Sequence, residues 1–293
     1  MADKEWKGSM RGAQWMHRTS VWMLRWIPLP VMYAFIAVFV MPWVMLFAHK
    51  GYICQYHYFR RRRAMGAWRA FWHTYKNHCL FSQVVMDHFY MYGGGRFEVS
   101  VTGYETYRNL AEGKDGFVIL SAHVGNYEIA GYTLVADKKR FNALVFGGET
   151  QMVMENRQQL FAQHNIRMIP IKEDMSHIFE LSNALADGET VSLAGDRIFG
   201  AMRAYELPFM GAEAKFPMGP FALAAQREVP VIAVNVLKVG CKHYHIYVQP
   251  LQAEGKTVKQ RARNLAEHYV ANLEQVLNEY PDQWYNYYEF WNQ

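Results

Sequence analysis

Cysteine is nearly missing from this chain: Cys54, Cys79 and Cys241 are three in 293 residues, odd in number, widely spaced and without a paired metal-ligand pattern. That spacing excludes a disulfide framework and a zinc site, and a reducing compartment fits best. Cofactor loops are missing as well. There is no P-loop, no dinucleotide glycine fingerprint and no Gly-x-Ser-x-Gly elbow, so no cofactor is implied and a covalent serine hydrolase is disfavoured. No repeat or low-complexity tract interrupts the chain. The net charge of +5 comes with no long basic stripe and no recognisable nucleic-acid module, which argues against nucleic acid as a partner. His243 and His245 share one strand face, but no third ligand accompanies them, so no metal is expected and they read as ordinary strand residues.

What is abundant is apolar and aromatic. Hydrophobic residues make up 51% of the chain and aromatics 16%, with nine Trp and 19 Tyr, enough for a sizeable core and for rings that face lipid. Trp26 to Ala48 carries no charged residue and is long enough to cross a bilayer. It starts too far in, and lacks a small-residue cleavage site, to be a removable signal peptide. Pro28 and Pro30 precede the helix and Pro42 would kink it, so a re-entrant or interfacial hairpin stands beside the favoured single span. The block Arg60 to Arg63 follows that stretch, suits anionic headgroups, and sets the bulk of the chain on the cytoplasmic side.

Residues 1–92 are expected to form a membrane anchor and helical segment, ending at Gly93-Gly94-Gly95, and residues 93–293 an α/β domain. Phe97, Val99 and Val101 alternate with polar residues as a half-exposed strand, and a short helix over 104–111 follows. Strands near 117–122, 142–146, 166–171 and 190–195 alternate with helices near 127–138, 151–164 and 174–187, and further strands fit 230–237 and 243–249. The fold class is therefore α/β: a mostly parallel central sheet flanked by helices, with an N-terminal membrane-associated helical segment. Pro217 opens a helix through Phe221 to Ala225, and Thr257 with Gln260 forms a capping box for a long helix to about Asn278. The closing run Tyr280 to Trp291 is dense in rings and reads first as core packing, with a lipid tunnel or a membrane contact as alternatives.

The run Phe117-Val-Ile-Leu-Ser-Ala-His-Val-Gly-Asn-Tyr-Glu128 carries the chemistry. A buried strand leads to His123 at its carboxyl end, the edge at which open α/β sheets bind ligands. Gly125 permits a tight turn, Asn126 is the expected N-cap, and Glu128 lies in the first helical turn, where it can fold back on the imidazole. Asp196, at the end of another strand, is a second candidate partner for His123, and the residues alone do not choose between the two carboxylates.

These blocks resemble the lysophospholipid acyltransferase superfamily, and within it the bacterial lipid A biosynthesis (lauroyl/myristoyl) acyltransferase branch. The resemblance rests on His123-Val-Gly-Asn-Tyr-Glu128, then Arg157, Gly195-Asp196-Arg197, the run from Leu207 to Phe221 leading to Val229-Pro-Val-Ile232, and Tyr280-Pro-Asp-Gln-Trp284. One departure bears on the acceptor: the lipid A enzymes usually show Asp-Gln where this chain has Asp196-Arg197. The resemblance implies transfer of a fatty acyl chain from an acyl thioester, on acyl carrier protein or coenzyme A, to a lipid acceptor at the inner membrane. His123, Glu128 and Asp196 are then the catalytic candidates, and Arg157, Arg197 and Asn126 the substrate-binding ones. A guanidinium offers a fixed fork to a phosphate of either substrate or to an oxyanion. Acylation of a lysophospholipid, an aminolipid or another glycolipid, and a non-catalytic lipid-binding protein, are the alternatives.

Overall fold

The computed structural model describes residues 19, 22–23, 26–47, 49–134, 139–145, 165–172, 174–198 and 202–292. Helix α1 (Leu29–Phe47) is long and apolar enough to cross a membrane by length and composition, with a mean hydropathy of 2.1 and a π-type turn over Ile36–Val40. α2 (His49–His57) continues through a second π turn, Tyr58–Arg62, and α3 (Ala67–Tyr92) follows Gly66. Then come β1 (Glu98–Thr102), α4 (Tyr104–Glu112), β2 (Phe117–Ser121), α5 (Glu128–Thr133), β3 (Phe141–Val145), β4 (Ile166–Pro170), α6 (Ser176–Ala186) and β5 (Thr190–Ala194). The chain closes with β6 (Ala204–Phe209), β7 (Ala212–Pro217), α7 (Met218–Arg227), β8 (Val231–Lys238), β9 (His243–Leu251) and α8 (Val258–Glu279).

Among the described residues seven strands form one sheet in the order β1-β9-β8-β2-β5-β3-β4, parallel throughout except that β8 and β9 pair antiparallel. The expected α/β class with a mostly parallel sheet is what the chain adopts. β8 is buried at every position and β2 at all but Ser121, as strands covered on both faces must be. Val118, Leu120, Val191 and Leu193 face α6, α7 and α8, while Phe117, Ile119, Ile232 and Val234 face α4 and α5. The Thr257–Gln260 capping box is present at the start of α8. The expected helix over 151–164 lies outside the described residues. α5 covers Glu128–Thr133 of the expected 127–138, of which 135–138 lie outside the described residues; the antiparallel pair β6 and β7 goes beyond the sequence expectation, since Leu207 to Phe221 reads as an unbroken motif block rather than as two short strands.

The N-terminal helices are built into this sheet domain. Gln55, fully buried, donates to the carbonyls of Trp284 and Asn286, and Asn77 donates to those of Asp282 and Trp284. Deeper still, Lys238 on β8 pairs with Asp87 on α3, and the hydroxyls of Tyr33 and Tyr244 both reach Asp87. Burial pulls the Lys238 ammonium's proton affinity down and pushes the Asp87 carboxyl up, so each charge persists through the other. Lys238→Met strands a buried carboxylate and is expected to cost about 3–5 kcal/mol in denaturant unfolding, and Asp87→Leu combined with Lys238→Met should recover part of it.

Candidate active site

Parallel pairing of β2 with β5 sets Ser121 opposite Ala194, an offset of 73 residues. Two residues beyond the strand ends the same offset brings His123 to Asp196: the imidazole Nδ1 lies 2.7 Å from one carboxylate oxygen, and the His123 backbone N–H donates to the other at 2.9 Å. Trp284 Nε1 donates to that second oxygen at 3.3 Å. Asp196 thus holds three donors and is 2% exposed, whereas the His123 side chain keeps 21% of its surface open. An ionised carboxylate can only accept, so Nδ1 carries the proton and Nε2 is left as the basic nitrogen.

Two glycines allow this convergence. Gly125 has φ +60°, and a Cβ there would stand 1.8 Å from the Val236 carbonyl oxygen; a Cβ at Gly195 would meet the Tyr269 ring at 2.7 Å. The same crowding steadies the strand ends, because Tyr269 OH donates to the Ser121 carbonyl and the Tyr285 N–H to that of His123. The closing aromatic run therefore packs in the core, as its composition suggests, and also orders the site. That second role had no sequence signal, since nothing local to Trp284 or Tyr285 points to residues 88 positions away.

Burial and then the nearby Arg197 guanidinium lower the His123 pKa, with Asp196 opposing both in part. Burial alone would raise Asp196, but the imidazole, Arg197 and the His123 N–H together hold its carboxyl below the usual range. Arg197 is 8% exposed, donates to the Tyr285 carbonyl at 2.8 Å and lines the same cavity as His123. That cavity, about 1030 Å³, wraps the carboxyl edge of the sheet and is walled largely by apolar side chains such as Phe81, Val84, Ala130, Val145, Ile178 and Met218.

Glu128 is 3% exposed, lines the cavity and stands 3.7 Å from His88 Nε2. Asn126 does not cap α5 with its side chain; Tyr127 holds the N-cap position, and the Asn126 amide oxygen accepts from His88 Nε2 at 2.8 Å. The expected cap fails because Gly125 and Asn126 are pinned beneath the turn, where the Asn126 N–H donates to the Val236 carbonyl. Arg157 lies outside the described residues. His243 and His245 are hydrogen-bonded to Ser100, and His245 also to Thr102, across the β1–β9 pair.

The fold and the site together define an α/β protein with an imidazole and a carboxylate poised over a large apolar cavity. The family model for bacterial lipid A biosynthesis acyltransferases matches residues 95–292, and the chain belongs to that family. It is accordingly an acyltransferase of the lipid A biosynthesis type. No curated protein matches the chain at a significant level.

Proposed function

We propose that the protein moves a fatty acyl chain from acyl carrier protein to a lipid A-type precursor at the cytoplasmic face of the inner membrane, with His123 as general base. The observation that carries this reading is the His123–Asp196 pair opening onto the apolar cavity. The acceptor hydroxyl attacks the thioester carbonyl carbon while His123 Nε2 takes its proton. Asp196 fixes the tautomer and stabilises the imidazolium that forms. Arg197 supplies positive charge for the tetrahedral oxyanion, which collapses with cleavage of the C–S bond, and the thiolate leaves with the proton from His123. The apolar walls hold the acyl chain and keep water from the thioester. Glu128 and Arg203, both on the cavity wall, are placed to meet the polar part of a substrate.

Purified protein given labelled acyl thioester, on carrier protein or on coenzyme A, and a panel of acceptors tests the assignment. Label in the lipid A-type precursor is the expected result. Label in a lysophospholipid or aminolipid instead would reassign the acceptor, and binding without turnover would leave a non-catalytic lipid-binding protein.

Because His123 is depressed, the acid limb of kcat/KM should fall below pH 6.5, the ordinary histidine value, since activity needs the neutral ring. Arg197→Met removes one of the two depressing causes and is expected to move that limb upward, whatever it does to the plateau.

A further inference from the structure

Helix α1 is fastened to α3 along its length. Near its start Tyr33 OH reaches Asp87, in its middle the Ala37 carbonyl accepts from Tyr75 OH, and toward its end Met41 is buried. α3 is no companion for a bilayer crossing: it carries Arg69, Lys76 and Asp87, and Lys76 pairs with Asp282 in the closing segment at 2.8 Å. Beyond α1 the chain is fixed again at once, with Gln55 Nε2 bonded to the Trp284 carbonyl at 3.0 Å. A helix crossing about 30 Å of hydrocarbon carries its two ends to opposite sides of the membrane. Here Tyr33, near one end, meets Lys238 of β8, and Gln55, eight residues beyond the other end, is bonded to the same sheet domain.

The outward stripe of α1 is apolar from end to end. Val31, Phe35, Val38, Phe39, Trp43 and Leu46 are between 52% and 64% exposed. The π turn over Ile36–Val40 rotates less per residue than an α-helix, which keeps Trp43 and Leu46 in line with Val31 and Phe35. Trp68, 70% exposed, and Trp72, 48% exposed, flank exposed Arg69 on the first turns of α3, and Arg60 and Arg61 are exposed just before it. Rings at the rim and guanidinium groups beside an uncharged stripe suit the headgroup boundary of an anionic leaflet.

We propose that α1 lies in the plane of a single leaflet, as a monotopic helix facing anionic lipid, instead of spanning the bilayer. It rests on the membrane placement proposed above and deepens it, from the packing of α1 and the exposed rings and charges beside it. The test uses the full chain with Cys54→Ser and Cys241→Ser, reconstituted into phosphatidylcholine/phosphatidylglycerol vesicles. An environment-sensitive fluorophore is placed in turn at Val31→Cys, Val38→Cys and Leu46→Cys, and quenched by lipids bearing a nitroxide near the headgroup or near the chain end. The shallow nitroxide should cause the larger loss of emission at all three positions. Strongest deep quenching at Val38, with shallow quenching at Val31 and Leu46, is the signature of a span and overturns the proposal. Emission indifferent to both nitroxides overturns it too, and if that emission varies with protein concentration, a second copy covers the stripe. No turnover enters the readout, so this proposal fails separately from the chemistry.

Discussion

Alanine at His123 is expected to lower kcat for acyl transfer by about 10²–10⁴-fold while leaving KM for the acyl donor nearly unchanged. The ring supplies the only step in the proposed sequence that moves a proton in both directions: it takes one from the acceptor and returns one to the departing thiolate. Arg197 and the apolar cavity remain in the variant, so binding and oxyanion stabilisation persist and the loss should sit in kcat. Structural damage is a small competing term. The side chain already keeps 21% of its surface open, and Asp196 retains Trp284 Nε1 and the residue 123 N–H as donors after truncation. Thermal unfolding of the variant should therefore shift little. Turnover equal to that of the unaltered protein, with the fold intact, would remove His123 from the mechanism.

Much of the fold is readable from local patterns because its strands are buried on both faces. Phe117–Ser121, Thr190–Ala194 and Val231–Lys238 are short apolar runs between breakers, and the expected strands match them within one or two residues. The helix over Val258–Glu279 is legible for a different reason, since a capping box is a pattern of four consecutive residues. The hairpin of β6 and β7 is not, because its two strands each run six residues and their turn at Met210-Gly211 sits inside a run that reads as one motif block. The site divides the same way. His123 declares itself by its position after a strand, but its partner depends on which strand lies next to β2. Glu128 is five residues away in sequence and Asp196 is 73, and only the β2–β5 register makes the distant one the neighbour. What α1 packs against is likewise beyond a local reading, for an uncharged stretch records length and not which of its faces meets protein.

The choice between the two carboxylates yields the second large effect. Asp196→Asn is expected to lower kcat by about 10²–10⁴-fold, more than Glu128→Gln does, with the reverse order moving the partner role to Glu128. The reason lies in what an amide can satisfy. Asp196 accepts from Nδ1–H on one oxygen and from the His123 N–H and Trp284 Nε1–H on the other. Asparagine has a single acceptor oxygen, and two fixed donors claim it, so its NH₂ turns toward Nδ1. An N–H facing Nδ1 demands a lone pair there, which drives the ring proton to Nε2 and leaves the base unable to accept. The substitution is nearly isosteric, so the cavity and substrate affinity should be preserved. Imidazole ¹⁵N chemical shifts report the tautomer directly: protonated Nδ1 in the unaltered protein, protonated Nε2 in Asp196→Asn. A merely structural role for Asp196 predicts lost stability with the tautomer unmoved, and that result would separate Asp196 from the chemistry while leaving His123 in place.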